Sequence, residues 1–325
     1  MQFEVRHITQ YRYDGPVRES VVELRMQPRR AGAQNLLTFE LEIEPHGQIF
    51  SYADSWGNAV HHFDVPQAHD QLDIIARSII ETDRQPSLPD QGPMDDWTHL
   101  ASDAVRSECW DFLTQQGVAA ETAALRAFID GRGLDALRSD DPLTALKALS
   151  QVVFEAFDYE AGITEPDSPI DHALLEGRGV CQDFTHIMIA ICRRWGMPAR
   201  YVSGYLFTDR ETHDRSTSDA THAWVEAYVP AFGWVGIDPT NNVLARERHL
   251  AVAVGRDYTD VPPSRGVFKG ETDGRLSVGV SVRKALQRVA QPDLMHIGAP
   301  TPIARRRAGA TSLLVQHHQQ QQQQQ

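Results

Sequence analysis

Cysteine is scarce in this chain: Cys109, Cys181 and Cys192 are the only three among 325 residues. An odd, sparse set implies no disulfide framework and fits a reducing compartment. No apolar run reaches the roughly 18 residues that a membrane span requires. The N-terminus, Met-Gln-Phe-Glu-Val-Arg-His, lacks the basic start and apolar core of a signal peptide. A soluble, cytoplasmic protein is the expectation. Positive charge is also short, since 31 Lys and Arg against 44 Asp and Glu leave a formal net charge of −13. That balance disfavours broad binding to nucleic acid or to an anionic membrane, both of which rely on basic patches. The run Arg305-Arg306-Arg307 reads as a solvated tail. No repeat is visible, and Gly177-Arg178-Gly179 alone makes no phosphate-binding fingerprint.

What is present suggests two domains. A hydrophobic share of 41% is ordinary for a globular chain. Residues 1–83 read as β-rich: Phe3–Tyr13, Val21–Met26, Leu37–Ile43 and Ala59–Val65 alternate apolar and polar, with turns expected at Asp14-Gly15-Pro16 and Asp54-Ser-Trp-Gly-Asn58. Close, regular spacing of short strands suggests a β-sandwich. A proline-rich linker is expected over 84–95. From Trp97 the apolar period becomes helical, with a long amphipathic helix at Leu143–Phe157 and another at Phe184–Trp195 that ends before Gly196-Met197-Pro198. Strand-like segments follow at Ala199–Phe207, His222–Val229 and Trp234–Asp238, with a further one at Ala251–Val254. Helices before antiparallel strands make an α+β core over 96–270. Residues 271–325 form an extension whose His/Gln-rich end, His317 to Gln325, reads as disordered.

The chemistry concentrates around Cys181. A glycine-containing turn delivers it to a helix start, where backbone N–H groups lack partners and carry partial positive charge that stabilises a thiolate. Alternation puts His222, Trp224, Glu226 and Tyr228 on one face of a strand. A hairpin centred near Ala231-Phe232 would set Asp238 opposite Trp224 and diagonal to His222, within side-chain reach. A carboxylate against Nδ1–H would hold the imidazole in one tautomer, leaving the other nitrogen for the thiol. The Cys181 N–H is a natural first oxyanion donor, and no second is marked. Other residues read as structural: Cys109 and Cys192 as packing, His186 as surface or packing, Asp183 as a helix-start charge. Trp224 is read as shielding the site or packing, and Glu226 as an arginine partner. His61, His62, His69 and His172 could ligate zinc but lack a recognised spacing, so no metal and no cofactor is expected.

Four segments carry a resemblance: Gly177-Arg-Gly-Val-Cys181-Gln-Asp-Phe184, Gly196-Met-Pro-Ala-Arg-Tyr-Val-Ser-Gly204-Tyr205, Thr221-His222-Ala-Trp-Val-Glu226 and Gly233-Trp-Val-Gly-Ile-Asp238-Pro-Thr240. With them the chain resembles the transglutaminase-like superfamily, the papain-like thiol enzymes ordered Cys, His, Asp. Trp56-Gly57-Asn58 in the first domain, and Val254 to Pro263 after the core, resemble bacterial members, so the likeness runs to about residue 270. It implies a papain-like core behind a β-sandwich-like domain, with Cys181 as nucleophile, His222 as base and Asp238 as its orienter. It also implies a peptide or protein amide substrate and a thioester intermediate. Peptidase or amidase activity is favoured over protein-glutamine cross-linking, because cross-linking enzymes usually carry further domains. A non-catalytic peptide-binding module on the same fold is the alternative of another class. Oligomeric state is not legible.

Overall fold

The structure is a computed structural model that describes residues 1–164, 168–209, 214–215 and 220–285, with the backbone of 315–317. The basic run at 305–307 and the glutamine tail from 318 lie outside the described residues. Five strands open the chain: β1 (Gln2–Leu24), β2 (Gln34–Glu44), β3 (Phe50–Ala53), β4 (Ala59–Val65) and β5 (His69–Thr82). Helices α1 (Asp96–Leu100), α2 (Asp103–Glu108), α3 (Trp110–Leu113), α4 (Ala123–Arg132), α5 (Pro142–Ala156), α6 (Ile170–Glu176) and α7 (Cys181–Arg194) follow, with two-residue strands β6 (Asp158–Tyr159) and β7 (Arg178–Gly179) flanking α6. Then come β8 (Ala199–Leu206), β9 (His222–Val229), β10 (Gly233–Asp238), β11 (Val243–Leu244), β12 (His249–Gly255), β13 (Ser264–Lys269) and β14 (Gly274–Lys284).

The turn expected at Asp14-Gly15-Pro16 does not reverse the chain. β1 runs through it, and its register with β5 shifts between Arg12 and Val17. Proline has no N–H for a ladder and glycine tolerates a bend, so the pair makes an irregularity where β1 passes from one sheet to another. The first half of β1 pairs with β5 and β14, the second half with β4 and β13. Residues 264–270, expected in the catalytic core, and 271–284, expected in an extension, thus supply strands to the N-terminal sheets. Alternation in the sequence pointed to strands before Thr82 and could not say that later ones would join them. Between the sheets Val22, Leu24, Phe63, Leu72 and Ile74 form a buried core.

The second core is α+β. Antiparallel strands run in the order β11-β10-β9-β8-β12. α7 lies against β9, where Ala223, Val225, Ala227 and Val229 meet Phe184, Ile187, Met188 and Ile191 in one apolar cluster. α7 is buried nearly all round, its polar Asp183, His186 and Arg193 included, as the central helix of the unit. α5 begins on an Asp141 cap that accepts from the Leu143 and Thr144 N–H groups, with Pro142 next.

The two units share an apolar boundary. Phe3, Val5, Leu36, Ile80 and Val280 of the sandwich pack on Tyr205, Phe207, Leu250 and Val252. Beside it two side-chain amides cover the outer edge of β12. Asn58 donates from Nδ2 to the Val254 carbonyl at 2.7 Å and accepts the Val254 N–H at 2.8 Å. Gln34 does the same at Ala251, 2.8 Å each way. An open strand edge is thereby closed. Asn58→Ala strips both partners from the Val254 peptide, and each buried unsatisfied group costs about 1–3 kcal/mol. The expected result is a clear fall in the urea midpoint; an unchanged midpoint contradicts this docking.

Candidate active site

Local chemistry explains why Cys181 starts a helix. Gly177 ends α6 in the left-handed region at φ 70°, and the chain then turns through Gly179 into α7. Asp183 reaches back to accept the Val180 N–H at 2.8 Å and the Thr164 hydroxyl at 2.6 Å. A Cβ on Gly179 would lie 2.7 Å from that Asp183 oxygen, so the glycine is needed for the close approach. Cys181 occupies the first helical position, where the backbone N–H has no intrahelical acceptor. The Thr185 hydroxyl secures the Cys181 carbonyl at 2.7 Å.

The hairpin supplies the other two residues. β9 and β10 pair Val229 with Gly233 and Val225 with Ile237, a register that continued by one residue faces Trp224 with Asp238. His222 donates from Nε2 to Asp238 Oδ2 at 2.7 Å. The expected orientation was the reverse, with the carboxylate on Nδ1. Asp238 sits diagonally on the next strand and needs the longer reach of Nε2. The Nδ1 atom, nearer the backbone, is buried without another hydrogen bond, and the Cys181 thiol interacts with this ring. The side chains of Cys181, His222 and Asp238 are all buried.

Asp238 has further donors. Oδ1 accepts the Thr240 N–H at 2.9 Å and the Asn241 N–H at 3.3 Å. Oδ2 also accepts from Asn241 Nδ2 at 2.8 Å and from His249 Nε2 at 3.2 Å. His249 lies on the edge of the Trp224 indole, 5.2 Å between centroids. Trp224 can cross the sheet because Gly204 beneath it has no Cβ, which would fall 2.6 Å from the indole. Glu226 pairs with Arg200 at 2.6 Å.

A model of the "Transglutaminase-like superfamily" matches residues 135–239, and one of the "Bacterial transglutaminase-like N-terminal region" matches 3–81. An uncharacterised protein of Mycobacterium leprae is 34% identical over 87% of this chain and 99% of its own length. The chain belongs to the transglutaminase-like superfamily. A protein of Cytophaga hutchinsonii, named as a candidate cysteine protease, shares the fold at TM-score 0.67 and 18% identity over 90% of this chain and 93% of that one. A protein-glutamine gamma-glutamyltransferase of Pseudomonas aeruginosa is 32% identical over 31% of this chain and 16% of its own length.

Within this transglutaminase-like core, electrostatics separates the groups. Burial alone would push the His222 imidazolium down, but the charge and hydrogen bond of Asp238, with Cys181, outweigh it and raise His222 to about 10. Burial would likewise raise Asp238, but His222 and His249 hold it well below the carboxylate range. Burial lowers His249, and Asp238 offsets this only in part. Cys192 is pushed up to about 12 by burial within the helix cluster, as its packing role requires. Cys109 and His186 are buried too. Burial, helped by Arg193, lowers His186 to about 3, and its Nε2 accepts the Tyr258 N–H.

Two neighbours were not anticipated. Tyr159 pairs across β6–β7 with Gly179, and burial followed by the charges of Cys181, Asp238 and Asp183 raises its hydroxyl far above the usual range. Its only sequence signal was its place just past the end of α5. His249 offered only a histidine eleven residues after Asp238, at the head of a strand. His222, Asp238 and His249 also have convergent ligand atoms. His249 Nδ1, however, accepts the Arg246 N–H at 3.3 Å. A metal on Nε2 would then require an imidazolate, so the donor set fits a hydrogen-bond node better than a metal centre. His61, His62, His69 and His172 belong to no convergent group among the described residues.

The pair imposes a pH dependence. His222, raised from 6.5 to about 10, contributes stability that is complete below 6.5 and lost as the pH rises toward 10. Asp238, depressed from 3.8, contributes stability present above 3.8 and lost on acidification. The stability gap between wild type and His222→Gln is therefore expected to be widest near about pH 5.5 and to shrink by about pH 10. Urea denaturation across that range measures it, and a gap that does not change with pH contradicts the ion pair.

Proposed function

We propose that this protein is a cysteine-dependent acyl-transfer enzyme acting on amide bonds. The observation that carries the reading is the buried line from the α7 thiol through His222 to a carboxylate that accepts its Nε2–H at 2.7 Å. The Cys181 sulfur attacks the amide carbonyl as a thiolate, with His222 holding the proton on Nδ1. The tetrahedral oxyanion forms beside the Cys181 N–H, and the hydroxyl of Tyr159, whose pairing with Gly179 sets it beside the turn into α7, is the second donor we assign. The C–N bond then breaks, His222 gives its proton to the leaving nitrogen, and an S-acyl thioester remains. Water or an amine, deprotonated by His222, attacks that thioester and releases the thiol.

Hydrolysis is the favoured ending, as a peptidase or amidase; the Cytophaga neighbour named as a candidate cysteine protease shares nearly the whole layout. Cross-linking of protein glutamine is the second reading, favoured by the local identity to the Pseudomonas gamma-glutamyltransferase. Cys109, Cys181 and Cys192, none of them joined in a disulfide among the described residues, support a reducing compartment. No helix among the described residues is long and apolar enough to cross a membrane.

The test is a panel of peptide and glutamine-amide substrates, with and without an amine acceptor, scored for ammonia, new amine termini and cross-links. Cys181→Ala and His222→Ala are expected to abolish turnover, and Asp238→Asn to retain a trace, about 10⁴-fold below wild type. Tyr159→Phe is expected to lower kcat by about 10²-fold. Wild-type activity in Cys181→Ala would overturn the reading. If iodoacetamide modifies Cys181 no faster than a denatured-state cysteine, and His222→Ala changes nothing, the non-catalytic module is the better account.

A further inference from the structure

Asp238 Oδ2 accepts from two imidazoles, and only one belongs to the Cys-His-Asp set. His249 opens β12, on the far edge of the sheet from β10, yet its buried Nε2 lies 3.2 Å from the oxygen that His222 holds at 2.7 Å. Its protonation state follows from geometry. Nδ1 accepts the Arg246 N–H, so it carries no proton, and the ring proton must sit on Nε2 facing Asp238. His249 is thus a neutral donor beside a charged pair. The groups facing this node are Cys181 from α7, Tyr159 from β6, His222 from β9, Asp238 from β10 and Arg248 just before β12. Arg248 is itself tied to Asp214 at 2.8 Å, which blunts its field on the ring. Burial keeps His249 neutral while His222 is held charged, so the two imidazoles on one carboxylate are driven apart.

The Thr240 and Asn241 N–H groups anchor Oδ1, and without His249 the placing of Oδ2 against His222 would rest on that turn and on the Asn241 amide, whose side chain has rotamer latitude. The edge of the Trp224 indole against the His249 ring, and the backbone bond to its Nδ1, remove that latitude from the third donor. We propose that His249 is a positioning residue for the thiol reaction: as a neutral Nε2–H donor it fixes Asp238 Oδ2 where His222 needs it, and thereby aims His222 Nδ1 at Cys181. This rests on the reading of Cys181 and His222 as a reacting pair.

The experiment compares wild type, His249→Leu and His249→Gln, whose amide nitrogen can reach where Nε2 stands. The readouts are the His222 titration by ¹⁵N NMR of the imidazole, kcat and KM on the best amide substrate, and Cys181 alkylation against pH. In His249→Leu the His222 titration is expected to move down by about one unit, and kcat to fall about tenfold with KM nearly unchanged. His249→Gln is expected to restore both. A purely packing role predicts the opposite pattern: no movement of the His222 titration, and a Gln variant no better than Leu. Either result overturns the proposal. Should His249→Leu fail to fold, His249→Asn, whose shorter amide falls short of Asp238, provides the contrast with Gln. The underlying reading is judged separately: if wild-type Cys181 shows no enhanced alkylation and no substrate turns over, the reaction is wrong, while the His222 titration still decides whether His249 holds Asp238.

Discussion

A carboxylate sealed from water keeps its charge only if its surroundings supply donors, and Asp238 has five: two backbone N–H groups on Oδ1, and His222, His249 and the Asn241 amide on Oδ2. Without them, burial would protonate it and the His222 imidazolium would lose its counter-charge. The turn after β10 follows from this need, since Thr240 and Asn241 must present their N–H groups back to the preceding side chain. So does the order of the sheet. β9 and β10 must be neighbours to bring the pair together, and α7 must lie on β9 for the thiol to meet the ring.

Much of this was legible in the sequence because it is local. The glycine turn before Cys181, the alternation from His222 and the short Pro230–Gly233 connection each fix a position within a few residues. The hairpin centre near Ala231 follows from the lengths of the two strands, so the facing of Trp224 and Asp238 could be anticipated. Which imidazole nitrogen meets the carboxylate could not. It depends on how far the Asp238 carboxylate stands from the β9 backbone, a tertiary distance with no trace in the β9 pattern. His249 and Tyr159 escaped for the same reason. Each enters the site through a pairing, β12 with β8 or β6 with β7, whose partners are far apart in the chain.

Within the sandwich, the course of the first strand escaped in a related way. Val21–Met26 and Phe3–Tyr13 looked like two strands because a Gly-Pro step lies between them, yet one strand passes through it and serves two sheets. Local turn chemistry lost to long-range pairing on both sides, as expected where a strand is flanked by partners along its whole length. The same non-local pairing drew β13 and β14 back to β1. Among the described residues the chain thus returns to the domain where it began, with the sheet that carries His222 and Asp238 between two visits to the sandwich.

That return path ties the first domain to the candidate site. β12 is held on one side by β8 and on the other by the Gln34 and Asn58 amides, which take the Ala251 and Val254 peptides. His249 heads that strand, so its reach to Asp238 is set by a strand whose outer edge belongs to the sandwich. Trp224 ties the two together: its ring meets His249, and Trp56 packs on the cluster that Trp224 forms with Val202 and Val254. The Trp56-Gly57-Asn58 turn, exposed at Gly57 and buried at Asn58, joins the sandwich to that edge. It is the clamp that lets a donor from the far edge of the sheet stay in register with a carboxylate three strands away.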